Sequence, residues 1–323
     1  MSGWTASEPA IAVVVSRADP ASVAIGEQLL AIAGWERTTD ETRPDSAGGG
    51  IVYRTPGFCL REFEALHLEL DRVADAFADP AFVVFVSKHA GETGKFLSAH
   101  HTGNFGPAEA GGLAGAFAQA CPNAHSCVVS ALSEYAPPAY DVGMECTHHG
   151  PTEVGCPSLF VELGSSAAEW NDPAGARAVA RAVLDLRGVS PARERQVVGF
   201  GGGHYVPRFE RIVEKTDWAV GHIGADWALD AMGKAENNRD VIERAFARSG
   251  ATRAVVEGNK PELRRVIDAL GHRVVSETWL RETTDVSLEL VARAEAELGN
   301  VDDGIRFGEP ARTGTESDTA IID

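Results

Sequence analysis

"AFVVFVSKHAGETGK", residues 81–95, decides the fold. Ala81 to Ser87 is an unbroken apolar run of strand length, and the chain turns to lysine, histidine and glycine directly after it. A continuous run, rather than an alternating one, reads as a strand covered on both faces. Outward from it, Ile11 to Ser16 (IAVVVS) has the same character, and Asp19-Pro20 starts a helix-like stretch ending near Gly34. Ile51 to Thr55, Tyr140 to His148, Ser158 to Leu163, Gln196 to Phe200, Trp218 to His222 and Ala254 to Val256 read as further strands. Helical spacing fills the stretch up to about Tyr135, Asp172-Pro173 to Gly188, Asn237 to Ser249, and the run opened by Pro261. Strands alternating with helices predict an α/β protein with a mostly parallel or mixed sheet flanked by helices. Residues 1–275 are expected to form an α/β catalytic region with room for a smaller inserted subdomain. Residues 276–323 are expected to be an acidic, partly disordered C-terminal extension, and Thr38 to Gly50 a polar loop.

Composition narrows the setting. The 323 residues, 44% of them hydrophobic, can bury a large core without disulfides. Five cysteines without a CxxC spacing are expected to be reduced thiols. No run approaches the roughly 18 apolar residues of a membrane span, and MSGWTASEPA has neither a basic nor an apolar leader region, so a cytoplasmic protein without a membrane partner is expected. Forty-seven Asp and Glu against 29 Lys and Arg give a formal charge of -18, with lysine only at positions 88, 95, 215, 234 and 260. Such acidity suits a protein kept soluble in high salt, where screening removes self-repulsion, and DNA is not an expected partner.

The polar residues gather at strand ends. SKHAGETGK, SAHHTGN, MECTHHGP, GGGHY and the Gly221-His222 pair hold seven of the ten histidines: His89, His100, His101, His148, His149, His204 and His222. Carboxyl ends of strands in an α/β sheet are where ligands bind. If Tyr140 to His148 is a strand, Cys146 and His148 share one face while Glu145, Thr147 and His149 share the other. Histidine with carboxylate suits zinc, yet no HExxH is present and the spacings define no ligand set; a histidine general base with glycine N–H groups is the metal-free alternative. GETGK fails as a P-loop, because His89 stands where glycine is needed and Phe96 replaces Ser or Thr. GGGHY lacks the third glycine of a dinucleotide fingerprint; Gly202 and Gly203 instead suit close backbone approach of a ligand. Cys121, His125 and Cys127 read as helix residues rather than ligands, and Arg177, Arg181, Arg244, Arg248, Arg264 and Arg265 as solvated, salt-bridged helix faces.

SKHAGETGKFLSAHHTGN, GMECTHHGPTEVGCPSLFVELGS and VGFGGGHYVPRF, in that order, resemble the archaeal and plant type of D-aminoacyl-tRNA deacylase, from the first strand to about residue 275. The resemblance implies hydrolysis of the ester joining a D-amino acid to the 3′ CCA end of tRNA, a Zn2+ cofactor, and a core similar to the phosphorylase and peptidyl-tRNA hydrolase folds. Carried over by motif, the expected catalytic residues are His100, His101, Thr147, His148 and His149; His89, Glu145, His204 and His222 are expected at the metal. Lys88, Asn104, Gly202, Gly203, Tyr205 and Arg208 are expected to bind substrate. One departure is visible: Ala225 and Asp226 stand where the family pattern has Pro-Lys, and Arg208 or Arg211 would have to compensate. A monomer is expected. The competing readings are a metal- or histidine-dependent hydrolase or phosphorylase of a small substrate, and a tRNA-binding module without turnover.

Overall fold

A computed structural model describes residues 10–298. Its elements run β1 Ile11–Ser16, α1 Pro20–Ile32, β2 Glu36–Asp40, β3 Gly50–Thr55, β4 Phe58–Phe63, β5 Val83–Ala90, β6 Phe96–His100, α2 Pro122–Tyr135, β7 Asp141–Met144 and β8 Ser158–Ser165. There follow α3 Ala167–Trp170, α4 Pro173–Leu184, β9 Gln196–Phe200, α5 Pro207–Lys215, β10 Ala219–Gly224, α6 Asp226–Met232, α7 Arg239–Ser249, β11 Arg253–Val256, α8 Pro261–Ala269, β12 Arg273–Val274, α9 Glu277–Glu282 and α10 Leu288–Leu298. The expected α/β class holds, but the strands form two sheets. Eight strands in the order β2-β3-β4-β1-β5-β8-β6-β7 make a mixed sheet, and β10-β9-β11-β12 make a parallel one.

In the large sheet, β5 lies between β1 and β8, parallel to both, so its apolar run is buried on both faces as its composition requires. Val13, Val15, Val84 and Val86 face a core shared with α1, α2 and α4, whereas Val14, Phe85 and Phe160 face the opposite way. The α-helices α1, α2 and α4 cover the first of these faces. The second is closed by chain from residues 66–80, 102–120 and 147–156, and that is the face on which polar groups gather. The small sheet has α5 and α9 on one side and α6, α7 and α8 on the other. Helix α2 touches α4 and β6 of the large sheet and β10 of the small one, so both sheets share one continuous core.

Three readings change. Thr38 to Gly50 is not a loop throughout, because Glu36–Asp40 pairs antiparallel with Gly50–Thr55. Phe96–His100, within a segment read as polar site sequence, is a fully buried strand antiparallel to β8, its Ser98 and His100 masking the apolar Phe96, Leu97 and Ala99. The strand expected from Tyr140 to His148 stops at Met144: Glu145 N–H still bonds Ala99 of β6, and Cys146 to His149 then leave the sheet to pair with chain from elsewhere. Beyond residue 275, Trp279 and Leu280 of α9 are buried in the shared core; residues 299–323 lie outside the described residues.

Asp19 ties the helix layer to the end of β5. Its Oδ1 accepts from the backbone N–H groups of Ala21 and Ser22, capping α1, while Oδ2 accepts from the N–H of Lys88. Pro20 at the first helical position has no N–H to satisfy. Burial pushes the Asp19 carboxyl up despite these donors, which is the expected cost of a carboxylate at 2% exposure. Replacing Asp19 by Ala should cost about 2–4 kcal/mol, by loss of the cap and of a buried acceptor. Asp19→Asn, which keeps one acceptor oxygen, should cost about half as much, as denaturation midpoints in molar KCl would show.

Candidate active site

Four elements converge at the carboxyl end of β5. His89 is the last residue but one of that strand, Glu162 lies in the middle of β8, His100 ends β6, and residues 145–149 follow β7. The fifth contribution comes from the small sheet: His204 and Tyr205 follow β9 and reach across to residue 145. Backbone pairing holds the crossing chain in place. Glu145 N–H donates to Ala99, Cys146 N–H to His204 and Thr147 N–H to Ile223, so this segment is stitched to both sheets. Gly164 lets His89 press against β8, since a Cβ there would stand 2.6 Å from the Cβ of His89.

At the centre, Glu145 and Glu162 are 2% and 4% exposed. His204 Nε2–H donates to Glu145 Oε2 at 2.6 Å, and His148 Nε2 is 3.8 Å from the same oxygen. His89 Nδ1 lies between the two carboxylates, 3.3 Å from Glu145 Oε1 and 3.5 Å from Glu162 Oε2. Its other nitrogen is 2.9 Å from the Tyr205 hydroxyl. Ser87 Oγ donates to Glu162 Oε1 at 2.6 Å, and His100 Nε2 is 3.5 Å from that oxygen. Burial alone would raise both acids; the adjoining imidazoles outweigh it and hold both carboxyls well below the usual carboxylate range. Reciprocally, burial disfavours a charged His89, yet Glu145 and Glu162 lift it to about 11, and Glu162 raises His100 against its own burial. The two carboxylates thus draw positive charge into a dry setting, either as protons on His89 and His100 or as a cation that displaces the proton from His100.

Three other ring nitrogens are arranged differently. His100, His148 and His149 each donate Nδ1–H to a backbone carbonyl, of His101, Cys146 and Gly150, at 3.1, 2.8 and 2.6 Å. This fixes Nε2 as the free nitrogen of each ring, and the rings pack at centroid distances of 4.2 to 4.8 Å. Burial and the neighbouring His100 depress His148 well below the ordinary histidine value and His149 to about 4. His149 also has φ +45°, a left-handed conformation that is sparsely populated for a side-chain-bearing residue. Within reach of a single ion are the groups His100/His148/His149, Cys146/His148/His204 and His89/Glu145/Glu162. Buried His100 Nε2 and Glu145 Oε1 have no hydrogen bond of good geometry, as groups awaiting a cation would. Imidazoles whose other nitrogen is locked on a backbone carbonyl, with carboxylates beside them, fit zinc.

Several expected residues do not reach the two carboxylates. His101 and His222 sit behind the site in the core. His101 Nδ1–H donates to Gly221 O and its Nε2 accepts from Cys121 N–H. His222 Nε2–H donates to Ala118 O and its Nδ1 accepts from Thr147 Oγ1–H. Thr147 Oγ1 in turn accepts from Ile223 N–H, so these three residues brace the junction of the sheets. Lys88 lines the charged cavity with its ammonium 5.3 Å over Trp170. Asn104 lines a neighbouring cavity and donates to Gly111 and Leu113 carbonyls. Gly202 stands against Glu257, Gly203 beside it, and Arg208 and Arg211 face Glu277 at 3.9 and 4.0 Å. Sequence reasoning missed Glu162, Cys146 as a site thiol, and His67, 3.7 Å from Asp19 at the cavity wall. The signal for Glu162 was present: one carboxylate inside the apolar strand SLFVELGS.

His125 and His222 are neutral in the fold, burial holding each to about 4. The unfolded chain therefore binds more protons between roughly pH 6.5 and pH 4. Stability should fall as pH drops through that window, with nothing further from these two groups below it. His125→Phe should flatten the fall, read as unfolding midpoints against pH.

The pattern that defines the D-aminoacyl-tRNA deacylase family matches residues 76–275. A D-aminoacyl-tRNA deacylase of Halorubrum lacusprofundi is 56% identical over 332 aligned positions, covering 93% of this chain and 67% of that protein. That of Haloarcula marismortui is 54% identical, covering 97% and 71%, and that of Halobacterium salinarum 58% identical, covering 94% and 65%. The chain thus spans about two thirds of the length of these relatives. A crystal structure of a conserved protein of unknown function, AF0625, superposes with a TM-score of 0.76 at 26% identity, over 85% of this chain and 98% of that one.

Proposed function

The chain belongs to the D-aminoacyl-tRNA deacylase family, and from that premise we propose how its residues hydrolyse the ester of D-aminoacyl-tRNA to free D-amino acid and tRNA. The carrying observation is the division of labour among the imidazoles. His100, His148 and His149, each with Nδ1 tied to a carbonyl and Nε2 free, would hold a zinc ion. Bound there, zinc would supply Lewis acidity toward the ester carbonyl and toward water. His204 is the proton-transfer group. Its side chain is 37% exposed, its Nε2–H is anchored on Glu145, and this leaves Nδ1, 4.0 Å from the Cys146 thiol, as the acceptor nitrogen. This arrangement exchanges part of the expected roles, with His204 and Glu145 serving the proton and the paired histidines serving the metal.

In the reaction His204 Nδ1 takes a proton from water as the water oxygen bonds to the ester carbonyl carbon, and Glu145 stabilises the imidazolium that forms. The same proton then passes to the ribose oxygen as the ester breaks. His89, charged between two carboxylates, donates from Nε2 to Tyr205, whose phenol O–H can then donate to the developing oxyanion. Glu162 keeps His89 and His100 in register. The substrate enters at the 3′ CCA end, the part of tRNA that carries the ester. All of these groups come from one chain, so a monomer suffices. Among the described residues no helix is long and apolar enough to cross a membrane.

Deacylation of D-Tyr-tRNA beside L-Tyr-tRNA in molar KCl tests the reading. The parent should release D-tyrosine selectively, and a chelator shown to strip the metal should stop it. His149→Ala should lose bound zinc together with activity. His204→Asn and Glu145→Gln should keep the zinc while kcat falls about 10²- to 10⁴-fold. No release under any condition would instead favour a hydrolase of small substrates.

A further inference from the structure

A second cavity of about 250 Å³ adjoins the charged one. Phe105, Pro107, Trp227 and Ala231 give it an apolar lining, and Thr147, His148 and His149 close its inner end. His148 and His149 also line the charged cavity of about 340 Å³, so the two spaces meet at the paired histidines. Trp227 is 50% exposed, whereas Trp218 and Trp279 are buried at 0% and 3%. Its ring lines the same cavity as Thr147, His148 and His149, which places the indole beside the site. The wall opposite is packed closely: a Cβ on Gly106 would stand 3.0 Å from the carbonyl carbon of Ala231. Gly103 N–H, bonded to His149 O at 2.9 Å, fixes the same loop to the histidine pair.

We propose that this cavity is the subsite for the terminal adenine of the substrate, with Trp227 as the stacking platform. The assignment rests on the deacylase reading and follows from the chemistry on either side of the ester. A D-aminoacyl group carries an α-ammonium, which suits the polar cavity, where Asp19, Glu145 and Glu162 stand beside Lys88 and His89, rather than the apolar one. With the ester carbonyl at His148 and His149, the nucleoside is left to the apolar side. A purine is flat and neutral, and a half-exposed indole in an apolar cavity is the surface on which bases stack. The bulk charge favours the same solution. At a net -18, with five lysines, phosphate contacts alone give little attraction and weaken further with salt, whereas stacking does not depend on counterion release.

The test compares 3′-O-D-tyrosyl-adenosine with D-tyrosine methyl ester, which has no base. Trp227→Ala should lower the preference for the adenosine ester over the methyl ester about tenfold, through KM, and Trp227→Phe should recover most of it. An unchanged preference would overturn the assignment, as would an equal loss on both esters, which would make the cavity an amino-acid pocket. Binding of the amide analogue 3′-(D-tyrosylamino)-3′-deoxyadenosine, measured by calorimetry, needs no turnover; its Kd should rise about tenfold in Trp227→Ala. Tryptophan-dependent binding by a parent that hydrolyses neither ester nor D-Tyr-tRNA would sink the deacylase reading and leave the subsite standing. Hydrolysis and binding that both ignore Trp227 would do the reverse.

Discussion

Two carboxylates buried between two sheets are the constraint that organises this molecule. Glu145 and Glu162 are almost without solvent, and an ionised carboxylate in such a place is tolerable only beside compensating charge and donors. Compensation comes from His89 between them, His100 and Ser87 on the Glu162 side, and His204 on the Glu145 side. Removing one member would leave the others uncompensated. The site is therefore a single electrostatic unit rather than a list of independent residues.

Topology makes that unit possible. Glu162 belongs to the large sheet and His204 follows a strand of the small one; the chain between Met144 and Gly150, on its way from β7 to β8, bonds to both. Because that chain has left the sheet, Glu145 and His148 can approach the same space, which strand alternation would forbid. Behind it, His101, His222 and Thr147 satisfy backbone groups at the sheet junction. Histidine thus does two kinds of work here. Where both ring nitrogens are bonded within the core the imidazole is a brace, and where Nδ1 alone is tied to a carbonyl Nε2 is presented to the cavity.

The surface sets a different condition. A protein this acidic draws little help from long-range attraction when it meets a polyanion, and salt screens what remains over a few Å. Recognition then has to come from short-range contacts inside the site, where two cavities of opposite character meet at one histidine pair. The arginines of α4, α7 and α8 do not supply a common patch. Arg181 lies over Tyr135, Arg244 pairs with Asp240, and Arg264 donates to the Val256 carbonyl.

By itself the sequence determined the α/β class, the helix bounded by Asp172-Pro173 and Gly188, and the buried β5, since apolar period and capping chemistry are local properties. It also marked the polar segments from which the site is built, because histidines clustered after apolar runs have few other uses. Only the tertiary structure decided that the strands divide into two sheets and that Phe96–His100 runs antiparallel. It alone decided that His101 and His222 face the core, and that one carboxylate inside an apolar strand is the partner of His89 and His100. Those outcomes depend on hydrogen bonds between residues as far apart as Thr147 and His222, and on where a strand stops. Neither is encoded in the spacing of neighbours, because a side chain's direction near a strand end is set by what the backbone pairs with next.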